Sequence, residues 1–254
     1  MTKGLIIGYG VVGSNLDEEL KPLKMDVVDK YKAIDTRKED YYDVAFVCVD
    51  TPYTDKRNTN DVTEVWNAIE ENDADLYVIK STILPGTTEK IRKETNKRVI
   101  FSPEYYGGTQ HANNYDFNFT ILGGEDKDCN EAIHILQKVY DGRHSFRKTD
   151  SKTAELVKYM ENSWLATKVS FMHQFSDVAD QLGVSFETLR ELFILDPRVN
   201  PSHTFVYKDH PYWDSHCLNK DVPAIADEYD MILLKSVVQF NDDRKNEYEL
   251  EYYF

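Results

Sequence analysis

Residues 216–221 of this 254-residue chain read HCLNKD, and the Cys, Lys and Asp side chains among them can work on a carbonyl group. A thiolate is a strong nucleophile, and neighbouring cations and carboxylates tune it or manage protons. Cys217 stands in a polar stretch flanked by aromatics, YWDSHCLNKDVPAI, where a structural thiol would normally have aliphatic neighbours. The other two cysteines read as structural: Cys48 inside an apolar strand and Cys129 at a helix start. Lys158 and Asn162 make a second candidate pair, because four residues of helix put both on one face. There is no CxxC and no Cys/His ligand spacing, so neither a metal site nor a disulfide framework is predicted.

A third set of residues could hold a cofactor. The run GLIIGYGVVGSNL passes from an apolar strand into Gly8, Tyr9, Gly10, Val11, Val12 and Gly13, and then into a helix. Glycines at this spacing give a tight turn, let a pyrophosphate approach the backbone, and let the helix pack on its strand. The second strand, MDVVD, ends in Asp29, 21 residues after Gly8. A carboxylate there accepts from the adenosine ribose hydroxyls and repels a 2′-phosphate, so NAD is expected in preference to NADP.

These residues need a scaffold, and the pattern supplies one. Apolar strands are predicted at 43–52, 75–88, 98–108 and 118–124, with helical patterns such as VTEVWNAIEE and CNEAIHILQKVY between them. Alternation of this kind predicts an α/β fold, a Rossmann-like, doubly wound parallel sheet. Ligands then lie beyond the carboxyl ends of the strands, where Thr51-Pro52, Ser81-Thr82 and Pro103-Glu104 fall. Residues 151–183 read as one long helix, with Leu156, Tyr159, Trp164, Leu165 and Val169 at helical spacing and Gly183 as its stop. A shorter helix, SFETLRELFILD, leads to a turn at 196–202, and a last helix is expected from about Val222 to Tyr253, broken in its middle. The reading divides the chain into an NAD-binding domain, 1–149, and a central helical substrate and dimerisation domain, 150–254.

The formal net charge of −15 and pI of about 4.9 argue against a nucleic-acid partner, which would need a basic face. No stretch approaches the roughly 20 apolar residues that cross a bilayer, and the N-terminus turns glycine-rich too soon for a signal peptide. A reducing cytoplasm is the expected compartment.

Taken together, STILPGTT, SPEYYGGT, TAELVKYMENSWLATKVSF, DPRV and CLNKDVPAI resemble the UDP-glucose 6-dehydrogenase family, one of the UDP-glucose/GDP-mannose dehydrogenases. The similarity keeps the family's order from Gly8 to LLKSVVQFN at 233–241. The resemblance implies oxidation of a nucleotide sugar's C6 alcohol to a uronate, of use in polysaccharide biosynthesis, with two NAD⁺ and a thioester on Cys217. It implies Asp221 beside that nucleophile, Lys158 and Asn162 on the developing alkoxide, and Thr82 and Glu104 around a water. Tyr105 and Lys220 match positions near substrate, and Arg198 of DPRV matches an arginine that reaches a neighbour's site in a homodimer formed through the long helix. Set against the family, the chain is expected to be a shortened form lacking the C-terminal UDP-binding domain, with that domain absent, carried on a separate polypeptide, or missing because the sequence is a fragment.

The chain departs from the family ahead of the nucleophile. Where the family has a glycine-rich run, this chain has KDHPYWDSHC, so Tyr212, Trp213 and His216 are expected to fill space left for substrate. Gly107 and Gly108 replace an arginine and a glutamate of the family pattern. Two other readings therefore stay open: an NAD-binding or assembly module that does not turn over, and a two-electron hydroxy-acid dehydrogenase.

Overall fold

Alternation of apolar side chains along each strand builds a sheet with two buried faces. The computed structural model describes residues 2–54, 59–106 and 117–253. The chain runs β1 (Gly4–Ile7), α1 (Val11–Glu19), β2 (Asp26–Asp29), β3 (Ile34–Asp35), β4 (Tyr42–Val47), β5 (Tyr53–Thr54), β6 (Thr59–Asn60) and α2 (Thr63–Glu70). It continues with β7 (Ala74–Ile79), α3 (Thr87–Thr95), β8 (Val99–Phe101), β9 (Phe119–Gly123), α4 (Asp126–Leu136) and β10 (Ser145–Thr149). Four helices follow: α5 (Ser151–Leu182), α6 (Phe186–Phe193), α7 (His216–Glu228) and α8 (Ile232–Tyr253).

The eight-stranded sheet has the order β10-β9-β8-β7-β4-β1-β2-β3. Its centre is parallel, while β3 pairs antiparallel with β2 and β9 antiparallel with β8. Ile6, Phe46, Val78 and Ile100 point to one face and pack against Leu16 and Leu20 of the α1 region and Cys129 and Ile135 of α4. Their neighbours Leu5, Val47, Ile79 and Phe101 point to the other, against Val65 and Ile69 of α2, Ile91 of α3 and Ala154 of α5. Helices on both faces make this the doubly wound sheet expected from the sequence. Each fully buried aliphatic side chain of this kind contributes about 1.5–3 kcal/mol.

The register decides what emerges at the carboxyl edge. Ile7 lies opposite Val47, Val47 opposite Ile79, and Ile79 opposite Phe101. The next residues, Gly8, Cys48, Lys80 and Ser102, therefore form a row, and the ladder continues one step into it. Cys48 N–H donates to Ile7 O (2.7 Å), Lys80 N–H to Val47 O (2.8 Å) and Ser102 N–H to Ile79 O (2.8 Å). Cys48 thus stands just past β4 and not inside it.

The chain forms two compact units. The first gathers residues up to Pro52 and from Asn60 to Lys158; the second gathers β5 with the residues from Tyr159 onward. In the second unit the last helical stretch begins earlier than its sequence indicates. Ser215 caps α7, its hydroxyl accepting from Leu218 N–H (3.1 Å), so the helix starts at His216 and carries Cys217 in its first turn. The expected break falls at 229–231, where Asp230 takes a left-handed φ of 48°, a conformation its short polar side chain tolerates. β3 and β10 had no counterpart in the sequence reading, being short or largely exposed. Among the described residues no helix is long and apolar enough to cross a membrane.

Candidate active site

The glycine turn is shaped by three different steric limits. Gly8 has φ +90°, and a Cβ there would stand 2.7 Å from Cys48 O. A Cβ on Gly13 would stand 1.9 Å from Gly8 O, so this glycine sets how closely α1 approaches β1. Above Gly10 a Cβ would meet nothing within 4 Å, which leaves open space at the N-terminus of α1. A pyrophosphate fits there on the helix's free N–H groups.

Asp29 closes the same turn. Its Oδ2 accepts from Tyr9 N–H (2.7 Å), and its Oδ1 from Tyr31 N–H and Lys32 N–H (2.9 Å each). Burial works against its charge, but these three donors and Lys32 hold the carboxyl below the usual carboxylate value. Three backbone donors thus fix an ionised acceptor beside the turn, with lone pairs remaining for a ribose.

At the sheet edge the loops after β4 and β7 are tied together. Thr51 Oγ1 donates to Thr82 O (2.9 Å) and Ser81 Oγ to Val49 O (2.6 Å). Thr51, Ser81 and Thr82 are all buried. The loop after β8 brings Glu104 to Lys158 of α5, both buried. Lys158 Nζ donates to Glu104 O (2.7 Å) and lies 3.7 Å from Glu104 Oε1, while Oε2 accepts from Tyr106 N–H (2.7 Å). The same ammonium lies 5.2 Å from the centre of the Tyr105 ring. A buried carboxylate beside a buried ammonium can orient a water and stabilise a developing oxyanion.

One residue of this region carries no signal in a motif-by-motif reading. Glu155 is fully buried and reaches the start of α3, accepting from Gly86 N–H (2.6 Å), Thr88 N–H (2.8 Å) and Thr88 Oγ1 (2.6 Å). Burial pushes its carboxyl up, and the three donors oppose this. Its one sequence signal is an acidic residue three positions before Lys158 on the same helical face.

In the second unit, Asp221 is fully buried and joins two helices. Its Oδ2 accepts from Asn162 Nδ2 of α5 and its Oδ1 from Lys220 Nζ, each at 2.7 Å. Cys217, one turn earlier on α7, is half-buried. A helix N-terminus favours negative charge, and Cys217 stands in the first turn of α7.

In the segment before Cys217, Tyr212 and Trp213 are both buried. Trp213 packs into a core with Ala166, Leu218, Val222 and Val237, and its Nε1–H donates to Ser170 Oγ (3.1 Å). Tyr212 is buried as well, stacked near His210 and Tyr248. Large apolar rings bury themselves where a helix pair offers a groove, and α5, α7 and α8 supply one. His216 alone is exposed. Arg198 also faces outward, its guanidinium bonded to Asp196 within its own turn. Gly107 and Gly108 lie outside the described residues.

Comparison with known proteins agrees with this geometry. Residues 6–143 match the NAD binding domain of the UDP-glucose/GDP-mannose dehydrogenase family, and residues 152–243 match its central domain. A UDP-N-acetyl-D-mannosamine dehydrogenase of Methanocaldococcus jannaschii is 29% identical over 266 residues, covering 93% of this chain and 61% of that protein. A UDP-glucose 6-dehydrogenase of Rickettsia prowazekii is 28% identical over 248 residues, covering 90% and 56%. The chain therefore spans a little over half the length of these relatives. A solved UDP-glucose dehydrogenase from Pyrobaculum islandicum shares the fold, with TM-score 0.78 at 21% identity over 95% of this chain and 68% of that one. The matched NAD-binding domain, with a glycine turn and ionised Asp29 that fit the dinucleotide, makes NAD the cofactor. Two successive domain models in family order span most of the sequence, and the chain accordingly belongs to the UDP-glucose/GDP-mannose dehydrogenase family.

Proposed function

We propose that the protein is an NAD-dependent dehydrogenase that oxidises the C6 alcohol of a UDP-hexose to the uronate, with Cys217 as nucleophile. The observation that carries this reading is Asp221: fully buried, bonded to both Asn162 and Lys220, one helical turn from the thiol. A buried carboxylate so held has no evident structural need for a cysteine at the adjacent helix start.

Bound NAD supplies a hydride acceptor, used twice. Lys158 and Asn162 stabilise the alkoxide as the C6 hydroxyl proton leaves to a water held by Thr82 and Glu104, and C6 then gives up a first hydride to become the aldehyde. The Cys217 thiolate adds to the resulting aldehyde, and its hemithioacetal, on losing a second hydride, becomes a thioester. Water then cleaves the thioester, restoring the thiol and releasing the carboxylate. The balance is one alcohol and one water to one carboxylate, with two NAD⁺ reduced.

The sugar is UDP-glucose by default. The relatives named UDP-glucose 6-dehydrogenase and UDP-N-acetyl-D-mannosamine dehydrogenase stand at nearly equal identity, so both UDP sugars belong in the assay. The exposed face of α5, with Met160, Trp164, Phe171, Phe175 and Leu182, supports a homodimer through this helix, and Arg198 is free of the core to serve a neighbour's site. Three cysteines at wide spacing, with no disulfide framework in the sequence, fit a reducing cytoplasm.

The test is NADH yield per UDP sugar consumed, for wild type and Cys217→Ser. Two NADH per sugar, with turnover lost or stalled in the variant, is expected. One NADH per sugar, or an unchanged Cys217→Ser enzyme, refutes the thioester route.

A further inference from the structure

Lys80 is a buried lysine for which the proposed reaction gives no role. It follows β7 directly and lies in the row between Cys48 and Ser102 set by strand register. Its Nζ donates to Ser102 Oγ at 3.0 Å, and among the described residues this is its one hydrogen-bond partner. Lys80 is 8% exposed and Ser102 0%. No carboxylate stands in ion-pair contact with this ammonium among the described residues.

Burying an ammonium is costly unless opposite charge lies nearby. Burial pushes Lys80 below its ordinary value, and Cys48, Glu19 and Glu104 act in the other direction. Cys48 contributes little negative charge, because burial pushes its thiol up to about 12. Glu19 and Glu104 are the carboxylates that act on Lys80. Tyr106 links these two carboxylates: its N–H donates to Glu104 Oε2 and its hydroxyl to Glu19 Oε2, while Tyr140 donates to Glu19 Oε1 at 2.6 Å. Among the described residues the charged and titratable groups around Glu104 include Lys158 from α5, Lys80 from the edge of β7, Cys48 from the edge of β4, Glu19 from α1, and the phenols of Tyr105 and Tyr106.

We propose that Lys80 is a positioning residue for Glu104, its anchored ammonium keeping the Glu104 carboxylate ionised from beneath while Lys158 holds it from α5. Lys80 touches neither a substrate nor the cofactor in this scheme. It acts by fixing Ser102, two residues before Glu104, and by placing a positive charge where water does not screen it. The role assigned to Glu104 rests on the dehydrogenase reading, but the electrostatic claim does not.

The experiment is a carboxyl-carbon NMR titration of protein labelled in glutamate, with Glu104 identified by loss of its signal in Glu104→Gln. In Lys80→Met the Glu104 titration is expected to move up by about one pH unit, a roughly tenfold weaker acid. Ser102→Ala, which frees the ammonium from its anchor, is expected to move it in the same direction and serves alone should Lys80→Met fail to fold. A Glu104 titration that stays in place in the folded variants overturns the inference, since a purely structural lysine would change stability and leave the titration alone. If wild type reduces NAD with the UDP sugars, the acid limb of kcat is expected to move with the titration. If wild type reduces none, the dehydrogenase reading falls and the titration still decides the role of Lys80.

Discussion

Replacing Glu155 by Ala removes one side chain and strands three donors. Gly86 N–H, Thr88 N–H and Thr88 Oγ1 all end on this carboxylate, and Glu155 and Thr88 are both fully buried. An orphaned buried donor costs about 1–3 kcal/mol. The threonine hydroxyl can turn to another acceptor, which leaves two amides and a loss of about 2–6 kcal/mol, with about 1 kcal/mol more for the missing methylene. A total of about 4 kcal/mol corresponds to a fall in Tm of roughly 10 °C for a domain of this size. Glu155→Gln keeps an acceptor for Thr88 but turns an amide N–H₂ toward Gly86 N–H, so about half the loss is expected. Urea unfolding followed by far-UV circular dichroism measures both. Wild-type stability within 1 kcal/mol for Glu155→Ala, or no difference between the two variants, would show that the α3 cap is not what this buried carboxylate does.

Two further outcomes follow from the second unit. His173 is buried with no partner for Nδ1, close to Arg244, Asp177 and His210. Burial, chiefly, lowers its pKa from 6.5 to about 4, so the folded protein keeps it neutral where the unfolded chain takes up a proton. The associated stability is complete above pH 6.5 and is lost as pH falls toward 4, by about 3 kcal/mol; denaturant midpoints across this range should lose about one proton's slope in His173→Gln. Trp164 is 61% exposed on the apolar face of α5, and Trp164→Glu is expected to convert a dimer to a monomer in light scattering. A monomeric wild type would refute dimerisation through that face.

What the sequence disclosed and what it did not divide along one physical line. The glycine turn and Asp29 were legible because each residue's role is local: a backbone conformation, a close approach, a carboxylate at a strand end. The four-residue spacing of Lys158 and Asn162 was legible for the same reason, since helix geometry fixes it. Glu155 was not, because its partners lie 67 and 69 residues away and only the folded chain brings them together. Nor was Lys80, whose meaning depends on the register that sets it between Cys48 and Ser102. The start of α7 was displaced because a six-residue polar lead, HCLNKD, has no apolar period, yet Ser215 caps it.

The grip of α8 on the segment before Cys217 is a grip on main chain. Asn241 accepts from Trp213 N–H (2.8 Å) and donates to Trp213 O (3.0 Å). One turn on, Arg244 donates to Pro211 O (2.7 Å), and a turn later Tyr248 to Asp209 O (2.7 Å). Such contacts read backbone and are indifferent to the side chains that the gripped residues display. Asp209 can accordingly change identity without loosening its bond to Tyr248, whereas Asp214 also accepts from Asn219 of α7 and Lys245 of α8 through its side chain. Anchorage thereby rests on main-chain atoms, which every residue type carries, so the path of the chain into the cysteine's helix is held by α8 and not by the composition of the segment itself.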